Sequence, residues 1–245
     1  MPVSLALRGR HAGTGAGRAA WAEAVAELRW VDLVFSTWKP DSAVSRLGRG
    51  EITLADCPPA VAEVLALAER AERESDGAFS AFLPHPDGGT YFDPTGVVKG
   101  WAVERAARPL SRLEATDFCL SAGGDLVCRV ALPERPAWQI GIEDPADPTR
   151  ILAQVPVRNG AVATSGTTHR GSHLVDARTG RAPEGIASVT VVAADLTWAD
   201  IDATAAYARG PEAADWLRRR PGRTGLVVWA DGRCELVGPP AVSSR

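Results

Sequence analysis

Helical and strand-forming patterns follow one another along this chain without regular alternation, and their order limits the possible folds more than any other feature of the sequence. In residues 18–35, apolar side chains recur every three or four positions, which is typical of a helix with one buried face. Asp56, followed at 58 and 59 by two prolines, marks a helix start, and Gly210 before Pro211 marks a helix end. These patterns predict three more helices, at residues 56–77, 95–110 and 197–209.

Short β-prone runs occupy much of the remaining chain. Asn159-Gly160 lies between two of them and is a strong hairpin signal, and Asp231-Gly232 predicts a second hairpin near the C-terminus. Because helices and antiparallel hairpins are mixed, the sequence predicts an α+β fold, with a mixed or antiparallel sheet and packed helices, in a single domain over residues 1–245. The predicted strands are residues 3–8, 118–121, 138–142, 151–157, 161–164, 189–193, 226–229 and 234–237.

Composition and charge disfavour several classes of function. The 245 residues carry a formal net charge of −3 without a block of like charges, so no basic surface for nucleic acid is predicted. No run reaches the ~18 apolar residues needed to span a bilayer, and the N-terminus lacks a secretion signal, so we expect a cytoplasmic protein without a membrane span. The four cysteines, at 57, 119, 128 and 234, form no Cys-x-x-Cys pair and are expected to be reduced thiols.

Asp200 and Thr204 lie four residues apart in a predicted helix and therefore share one of its faces. A carboxylate and a hydroxyl on one face can bind Mg²⁺, which commonly completes its coordination with water and substrate phosphates. The alternative is structural, because Asp often caps a helix and Thr often bonds to the preceding turn. The pair is therefore a candidate metal site for a phosphate-ester substrate.

Two glycine-containing segments are candidates for phosphate contact. Gly96 and Gly100 flank Lys99 at the start of a predicted helix, where backbone N–H groups and a cation suit a pyrophosphate, although the spacing is not that of a Walker A loop. The segment 123–125, Gly-Gly-Asp, could hold phosphate or adenine through its backbone. Both segments are also compatible with ordinary turns.

A third segment combines hydroxyl, imidazole, carboxylate and guanidinium groups. Thr164 and Ser165 are followed by His173, Asp176 and Arg178. His173 could act as a general base on a hydroxyl or be a structural residue, and Arg178 could pair with a phosphate or with Asp176. A hydrolase triad of Ser165, His173 and Asp176 is disfavoured, because no Gly-x-Ser-x-Gly elbow is present and triad members normally come from distant segments.

Taken in order, these segments resemble those of the ApbE family of FAD:protein FMN transferases. Each motif is weak alone, but seven motifs in the same order form a specific pattern. The matching segments are residues 35–38 with 40–42, 93–104, 123–125, 138–142 with 144–145, 163–166, 173–180 and 199–204. The resemblance implies a single-domain α+β fold, FAD as the substrate, Mg²⁺ as the required metal, and an acceptor protein that offers a Thr or Ser hydroxyl.

The resemblance also implies roles for individual residues. Asp200 and Thr204 would bind the metal through their side chains, and a backbone oxygen near Gly96 would add a ligand. His173 would position or deprotonate the acceptor hydroxyl, and Lys99 would offset phosphate charge. The residues implied at the FAD site are Ser36, Thr37, Trp38, Lys99, Gly123, Gly124, Asp125, Thr164, Ser165, His173, Val175 and Asp176.

The chain departs from the family pattern in two places. Only Met1 and Pro2 precede the first predicted strand, where relatives place a Met-Gly-Thr-like segment whose methionine contacts flavin. Ser80 follows Phe79 where relatives have an Asp. Either change could weaken FAD binding, so two alternatives stand beside the transferase. They are a Mg²⁺-dependent FAD pyrophosphatase that releases FMN and AMP, and a protein that binds FAD without turnover.

Overall fold

The strands and helices of this chain are described by a computed structural model that covers residues 1–85, 88–166 and 174–238. The strands in these ranges are β1 (Val3–Gly9), β2 (Phe82–Pro84), β3 (Thr90–Phe92), β4 (Thr116–Ala122), β5 (Asp125–Arg129), β6 (Trp138–Asp144), β7 (Asp147–Val157), β8 (Asn159–Gly166), β9 (Ile186–Ala193), β10 (Thr224–Trp229) and β11 (Cys234–Val237). The α-helices are α1 (Gly15–Phe35), α2 (Ala43–Gly48), α3 (Pro59–Glu74), α4 (Thr95–Ala106), α5 (Arg108–Ser111), α6 (Leu196–Ala208) and α7 (Ala213–Arg218).

The four helices predicted from the sequence are present, and local caps explain where two of them start. The hydroxyl of Thr14 accepts a hydrogen bond from the N–H of Gly17, so α1 begins earlier than predicted. The carboxylate of Asp195 accepts a hydrogen bond from the N–H of Trp198 at the start of α6. The helix predicted over 95–110 is divided into α4 and α5. No helix in the described ranges is long and apolar enough to cross a membrane.

The largest sheet of the described structure has seven strands, each antiparallel to its neighbours, in the order β1-β4-β5-β8-β9-β10-β11. Side chains alternate between its faces, so Ala161 and Ala163 of β8 face the helices while Val162 faces the other side. On the helical face, α6 packs against β8 and β9, α4 packs against α6, and α1 packs against α4. Side chains of α6 can therefore contact both α4 and the sheet.

β6 and β7 form a separate two-stranded sheet that covers the other face of the large one. Ile140 and Val157 of this hairpin pack with Cys128 and Val162 of the large sheet, and Ile142 packs against β10. Helices, large sheet and hairpin are thus three successive layers. The predicted α+β fold is confirmed, and so is the terminal hairpin, which β10 and β11 form.

The prediction of a hairpin at Asn159-Gly160 is wrong. The flanking strands pair with different partners, since β7 pairs with β6 whereas β8 pairs with β5 and β9. Asn159 and Gly160 lie within β8, opposite Arg129 and Cys128 of β5. A Cβ atom on Gly160 would lie 2.7 Å from the carbonyl oxygen of Ala193. Glycine at this position therefore reflects the close approach of two strands and not a turn.

Candidate functional site

A cleft in the described structure is lined by residues from well-separated parts of the chain. They come from the first turns of α4, the turn between β4 and β5, the middle of β6, the end of β8, one face of α6, and the segment before β2. The sequence-predicted residues that line it are Gly96, Lys99, Gly123, Gly124, Thr164, Ser165, Val175, Asp200 and Thr204. Their convergence makes this cleft the candidate functional site.

Lys99 lies between two buried carboxylates at this cleft. Its Nζ is 2.7 Å from Oδ2 of Asp125 and 3.1 Å from Oδ1 of Asp200. Burial alone would lower the pKa of Lys99, but the charges of Asp200 and Asp125 outweigh burial and raise the pKa. Burial and the charge of Asp200 also raise the pKa of Asp125 to about 7, against the opposing effect of Lys99. The cluster has one more carboxyl group than it has cations, which favours the binding of additional positive charge.

Asp200 connects α6 to α4. Its Oδ2 accepts a hydrogen bond of 2.9 Å from the N–H of Gly100, which in a regular α-helix donates to the carbonyl of Gly96. A Cβ atom on Gly100 would lie 2.7 Å from the Cβ of Asp200 and 2.7 Å from the carbonyl oxygen of Leu196. Glycine at position 100 thus permits the close helix crossing that places Asp200 beside Lys99.

Hydroxyl groups of β8 and α6 form another part of the site. Oγ of Ser165 and Oγ1 of Thr204 are 3.0 Å apart, and Oγ1 of Thr164 is 2.9 Å from Oγ1 of Thr190 on β9. The N–H of Thr164 donates to Oδ1 of Asp125 over 3.3 Å. Asp125 therefore connects β5 with β8 and, through Lys99, with α4. It is buried and pairs with Lys99, and the FAD contact that the resemblance implies for it stays a prediction.

The residues present fit a hard divalent cation. Asp200 and Thr204 both line the cleft, and Oδ2 of Asp125 is buried without a hydrogen bond of regular geometry, although the ammonium of Lys99 lies close to it. Within residues 1–85, 88–166 and 174–238, no group of three or more His, Cys, Asp or Glu side chains is arranged to hold a metal. A donor set of one or two carboxylates and a hydroxyl suits Mg²⁺, which keeps water and phosphate ligands, better than it suits zinc.

Two further parts of the cleft differ in polarity. Gly123 and Gly124 connect β4 to β5 with φ angles of +59° and +94°, and no described atom lies within 4 Å of a Cβ atom built on Gly124. The apolar lining includes Leu83, Leu126, Ile140, Ile142 and Val162. Ile140 and Ile142 belong to a segment that matches the family, but none of these apolar residues was assigned to the site, because in a strand they have the same pattern as ordinary core residues. Polar and apolar lining together suit a ligand that has both phosphates and a ring system.

Asp176 holds a turn beside the cleft, while the preceding Val175 lines it. The carboxylate of Asp176 accepts hydrogen bonds from the backbone N–H of Arg178, at 2.9 Å, and from its guanidinium, at 2.8 Å. Burial tends to raise the pKa of Asp176, but the bonds from Arg178 lower it overall. The N–H of Ala177 donates to the carbonyl of Ala78, which fixes the turn to a segment that lines the cleft. The sequence left a phosphate or Asp176 as the partner of Arg178, and in the structure Arg178 pairs with Asp176.

Three of the remaining sequence-predicted residues are not brought into this cleft. Ser36, Thr37 and Trp38 are absent from its lining in the described part of the chain, and Trp38 is 94% exposed. The carbonyl of Ser36 accepts hydrogen bonds from the hydroxyls of Ser42 and Ser45. The assignment of the three residues to an FAD site therefore stays a prediction. His173 lies outside the described residues, and its role also stays a prediction.

Sequence similarity to known proteins covers most of the chain. A family model described as the ApbE family matches residues 2–85 and 80–227. A curated relative, the FAD:protein FMN transferase of Escherichia coli (strain K12), is 30% identical over 152 residues, which cover 58% of this chain and 43% of that protein. The match therefore spans less than half of that relative's length.

Two solved structures share the fold. The apo form of the Pseudomonas stutzeri flavinyl transferase ApbE has a TM-score of 0.77 at 20% identity, over 96% of this chain and 95% of that chain. The ApbE protein of Thermotoga maritima has a TM-score of 0.72 at 22% identity, over 96% of this chain and 93% of that chain. At these identities, the likeness concerns the fold alone.

Proposed function

The chain belongs to the ApbE family, and on that premise we propose that it is an FAD:protein FMN transferase. In the proposed reaction, the hydroxyl oxygen of a Thr or Ser residue in an acceptor protein attacks the FMN-side phosphorus of FAD. The bond from this phosphorus to the bridging oxygen breaks, AMP leaves, and FMN stays attached to the acceptor through a phosphate ester. FAD and the acceptor protein are thus the two proposed partners.

The observation that carries this proposal is the contact of Lys99 with Asp200 and Asp125 in the same cleft as Thr204. A site that only held a flavin ring would need the apolar lining but no buried cluster of charges. Buried charges are costly unless they are paired or neutralised, so a cluster with an excess of carboxyl groups favours a bound cation. A cation beside Lys99 and an apolar lining favours a phosphate-containing substrate over a neutral one.

Mg²⁺ is the proposed metal. The side chains of Asp200 and Thr204 would hold it, with the carbonyl oxygen of Gly96 as a third protein ligand. In a regular α-helix, the N–H of Gly100 would donate to the carbonyl oxygen of Gly96. Here that N–H donates to Asp200, which supports the Gly96 carbonyl oxygen as a metal ligand. When bound, the metal would neutralise charge that develops on the phosphate oxygens.

Lys99 would supply a fixed positive charge to the pyrophosphate. Two carboxylates keep its pKa raised, so the side chain acts as a charge and not as a base. The backbone of Gly123 and Gly124 would contact phosphate or adenine, and the apolar lining would contact a ring. Thr164, Ser165 and Val175 are further proposed FAD contacts. His173 is proposed to position or deprotonate the acceptor hydroxyl.

The experiment that tests the function combines the purified chain with FAD, Mg²⁺ and a Thr-containing peptide from a candidate acceptor. Mass spectrometry then identifies the modified peptide and the nucleotides. We expect FMN-peptide and AMP, and at least about 100-fold slower formation with D200N, which removes the proposed metal ligand, or K99M, which removes the fixed positive charge. D215N is the matched control, since Asp215 is exposed on α7 and does not line the cleft.

Two other outcomes would contradict the transferase. Free FMN and AMP with an unmodified peptide would indicate the pyrophosphatase, in which water replaces the acceptor hydroxyl. Intact FAD at saturating Mg²⁺ would indicate a protein that binds FAD without turnover. An H173A variant that keeps the full transfer rate would remove only the proposed role of His173.

A further inference from the structure

Cys119 and Cys128 face each other on neighbouring strands, outside the cleft. They are register partners in the antiparallel β4–β5 pair, and their Sγ atoms are 3.4 Å apart. The connecting turn, Gly123-Gly124, has two residues with positive φ, as in a type I′ hairpin turn that is closed by a hydrogen-bonded pair. Because hydrogen-bonded and non-hydrogen-bonded pairs alternate from that turn, Cys119 and Cys128 form a non-hydrogen-bonded pair.

Non-hydrogen-bonded pairs bring Cα atoms to about 4.5 Å, which is within the range that a disulfide requires. A bond between these two cysteines therefore needs only a rotation of the side chains that closes the gap between the sulfur atoms. The other two cysteines, Cys57 and Cys234, have no such partner in the described structure. Because the cysteines are widely spaced in the sequence, the contact between Cys119 and Cys128 was not predicted.

The two sulfur atoms differ in accessibility. Cys128 is buried beneath the β6–β7 hairpin with Ile140 and Val157, whereas Cys119 is partly exposed. The neighbour of Cys119 on the edge strand β1 is Ala6, an exposed residue with a small side chain that leaves room for a reagent. The hydrogen bond with Cys128 lowers the pKa of Cys119, while it raises that of Cys128. Cys119 is thus the accessible thiol and the one that more readily forms a thiolate.

We propose that Cys119 and Cys128 are a redox-active dithiol that a small-molecule disulfide oxidises to an intramolecular disulfide. The Cys119 thiolate attacks one sulfur of the oxidant, and the first thiolate of the oxidant leaves. Cys128 then loses its proton to solvent and attacks Sγ of Cys119, and the second thiolate leaves. Two electrons pass from the two cysteines to the oxidant, which is reduced to two thiols.

The test uses glutathione disulfide as the probe and the full chain with C57S and C234S substitutions, which leaves only the proposed pair. After incubation, the protein is acidified, denatured and alkylated, and its mass and its non-reduced peptides are measured. We expect the loss of two hydrogens without a glutathione adduct, a peptide that links 119 to 128, and return to two alkylatable thiols after reduction. The C128A variant in the same background should instead keep glutathione on Cys119.

Two results would overturn the proposal. One is a treated protein that retains two alkylatable thiols, and the other is a protein that carries glutathione on both cysteines without a link between them. If the C128A variant does not fold, the presence or absence of the linked peptide in the C57S/C234S protein decides the question. The outcome is independent of flavin transfer, because neither cysteine lines the cleft.

Discussion

Asp125 releases its proton less readily in the folded chain than in the unfolded one, because burial and the charge of Asp200 raise its pKa to about 7. The unfolded value is near 4, so between these two pH values the folded state binds more protons than the unfolded state. The free energy of unfolding should therefore fall as pH rises from about 4 to about 7.

In metal-free buffer, we expect the D125N variant to lose most of this decline, which amounts to at most about 4 kcal/mol at about 1.4 kcal/mol per pKa unit. The substitution removes the titrating group and leaves Lys99 paired with Asp200. Urea unfolding in the presence of a chelator, at several pH values between about 4 and 8, measures the effect. Equal pH dependence in the two proteins would show that Asp125 is not the group responsible.

Asp117 should respond to pH in the opposite direction. Its buried carboxylate is 2.6 Å from Arg8 and 3.2 Å from Arg135, and it accepts a hydrogen bond of 2.7 Å from the N–H of Ala131. Burial alone would raise the pKa of Asp117, but these three partners lower it. The resulting stabilisation is present above the unfolded pKa, near 4, and is lost as pH falls through the lower folded pKa.

We expect D117N to lower the free energy of unfolding by about 2–4 kcal/mol at neutral pH, and by less in acid, because an amide cannot pair with both arginines. D215N is the control, since Asp215 is an exposed carboxylate with one exposed arginine partner and should change stability by less than about 1 kcal/mol. Denaturant unfolding at neutral and acidic pH gives both values. A difference that grows in acid would contradict the pKa assignment.

Among the elements, the crossing of α4 and α6 depends on Gly100. The G100A variant would place a Cβ atom 2.7 Å from the Cβ of Asp200, so the helices must separate. We expect a loss of about 1–3 kcal/mol in stability, despite the better helix propensity of Ala. Metal-dependent activity should fall as well, because Asp200 moves with α6.

G15A is the matched control for this substitution. Gly15 begins α1, and no atom of a described neighbouring residue lies within 4 Å of a Cβ atom built on it. Alanine there should leave stability unchanged or raise it by up to about 1 kcal/mol. Thermal unfolding of the two variants beside the unsubstituted chain makes the comparison. If both variants are equally stable, the helix crossing tolerates a side chain at position 100.

The positions of the long helices could be predicted because their signals are local. An apolar stripe and a cap residue such as Thr14 or Asp195 lie within a few residues of the helix that they define. The terminal hairpin could be predicted for the same reason, but pairing between strands that are distant in the sequence could not. The sequence at Asn159-Gly160 is that of a turn, but the close approach of Ala193 from β9 makes it part of a strand. β5 was not predicted, although the Gly-Gly-Asp segment before it was compatible with a turn.

At the scale of the whole molecule, several residues that line the cleft could be named from the sequence, but their arrangement could not. Lys99, Asp125 and Asp200 were each selected from a separate motif, and no local signal indicates that the ammonium lies between the two carboxylates. That contact requires both the crossing of α4 with α6 and the register of β4 with β5. The same register brings Cys119 to Cys128. Both contacts are therefore products of tertiary structure, as is the apolar lining from β6.

The proposed function also predicts that FAD and Mg²⁺ stabilise the folded chain more together than separately. The phosphates of FAD and the two carboxylates of the cluster are all negative, so a cation between them reduces repulsion and each ligand should favour the other. At 100 times its Kd, a ligand that binds only the folded state adds about 2.7 kcal/mol, which corresponds to about 5–10 °C in Tm for a domain of this size.

Differential scanning fluorimetry with FAD alone, Mg²⁺ alone and both ligands measures this coupling without any turnover, if AMP and FMN are shown to be absent at the end. D200N should abolish the additional shift that Mg²⁺ produces with FAD, because Asp200 is the proposed carboxylate ligand, while D215N should keep it. T204V should reduce the shift less, since it removes a neutral ligand and preserves the shape of the side chain. An undiminished Mg²⁺ effect in D200N would place the metal away from Asp200, and additive shifts in the unsubstituted chain would show that metal and FAD bind independently.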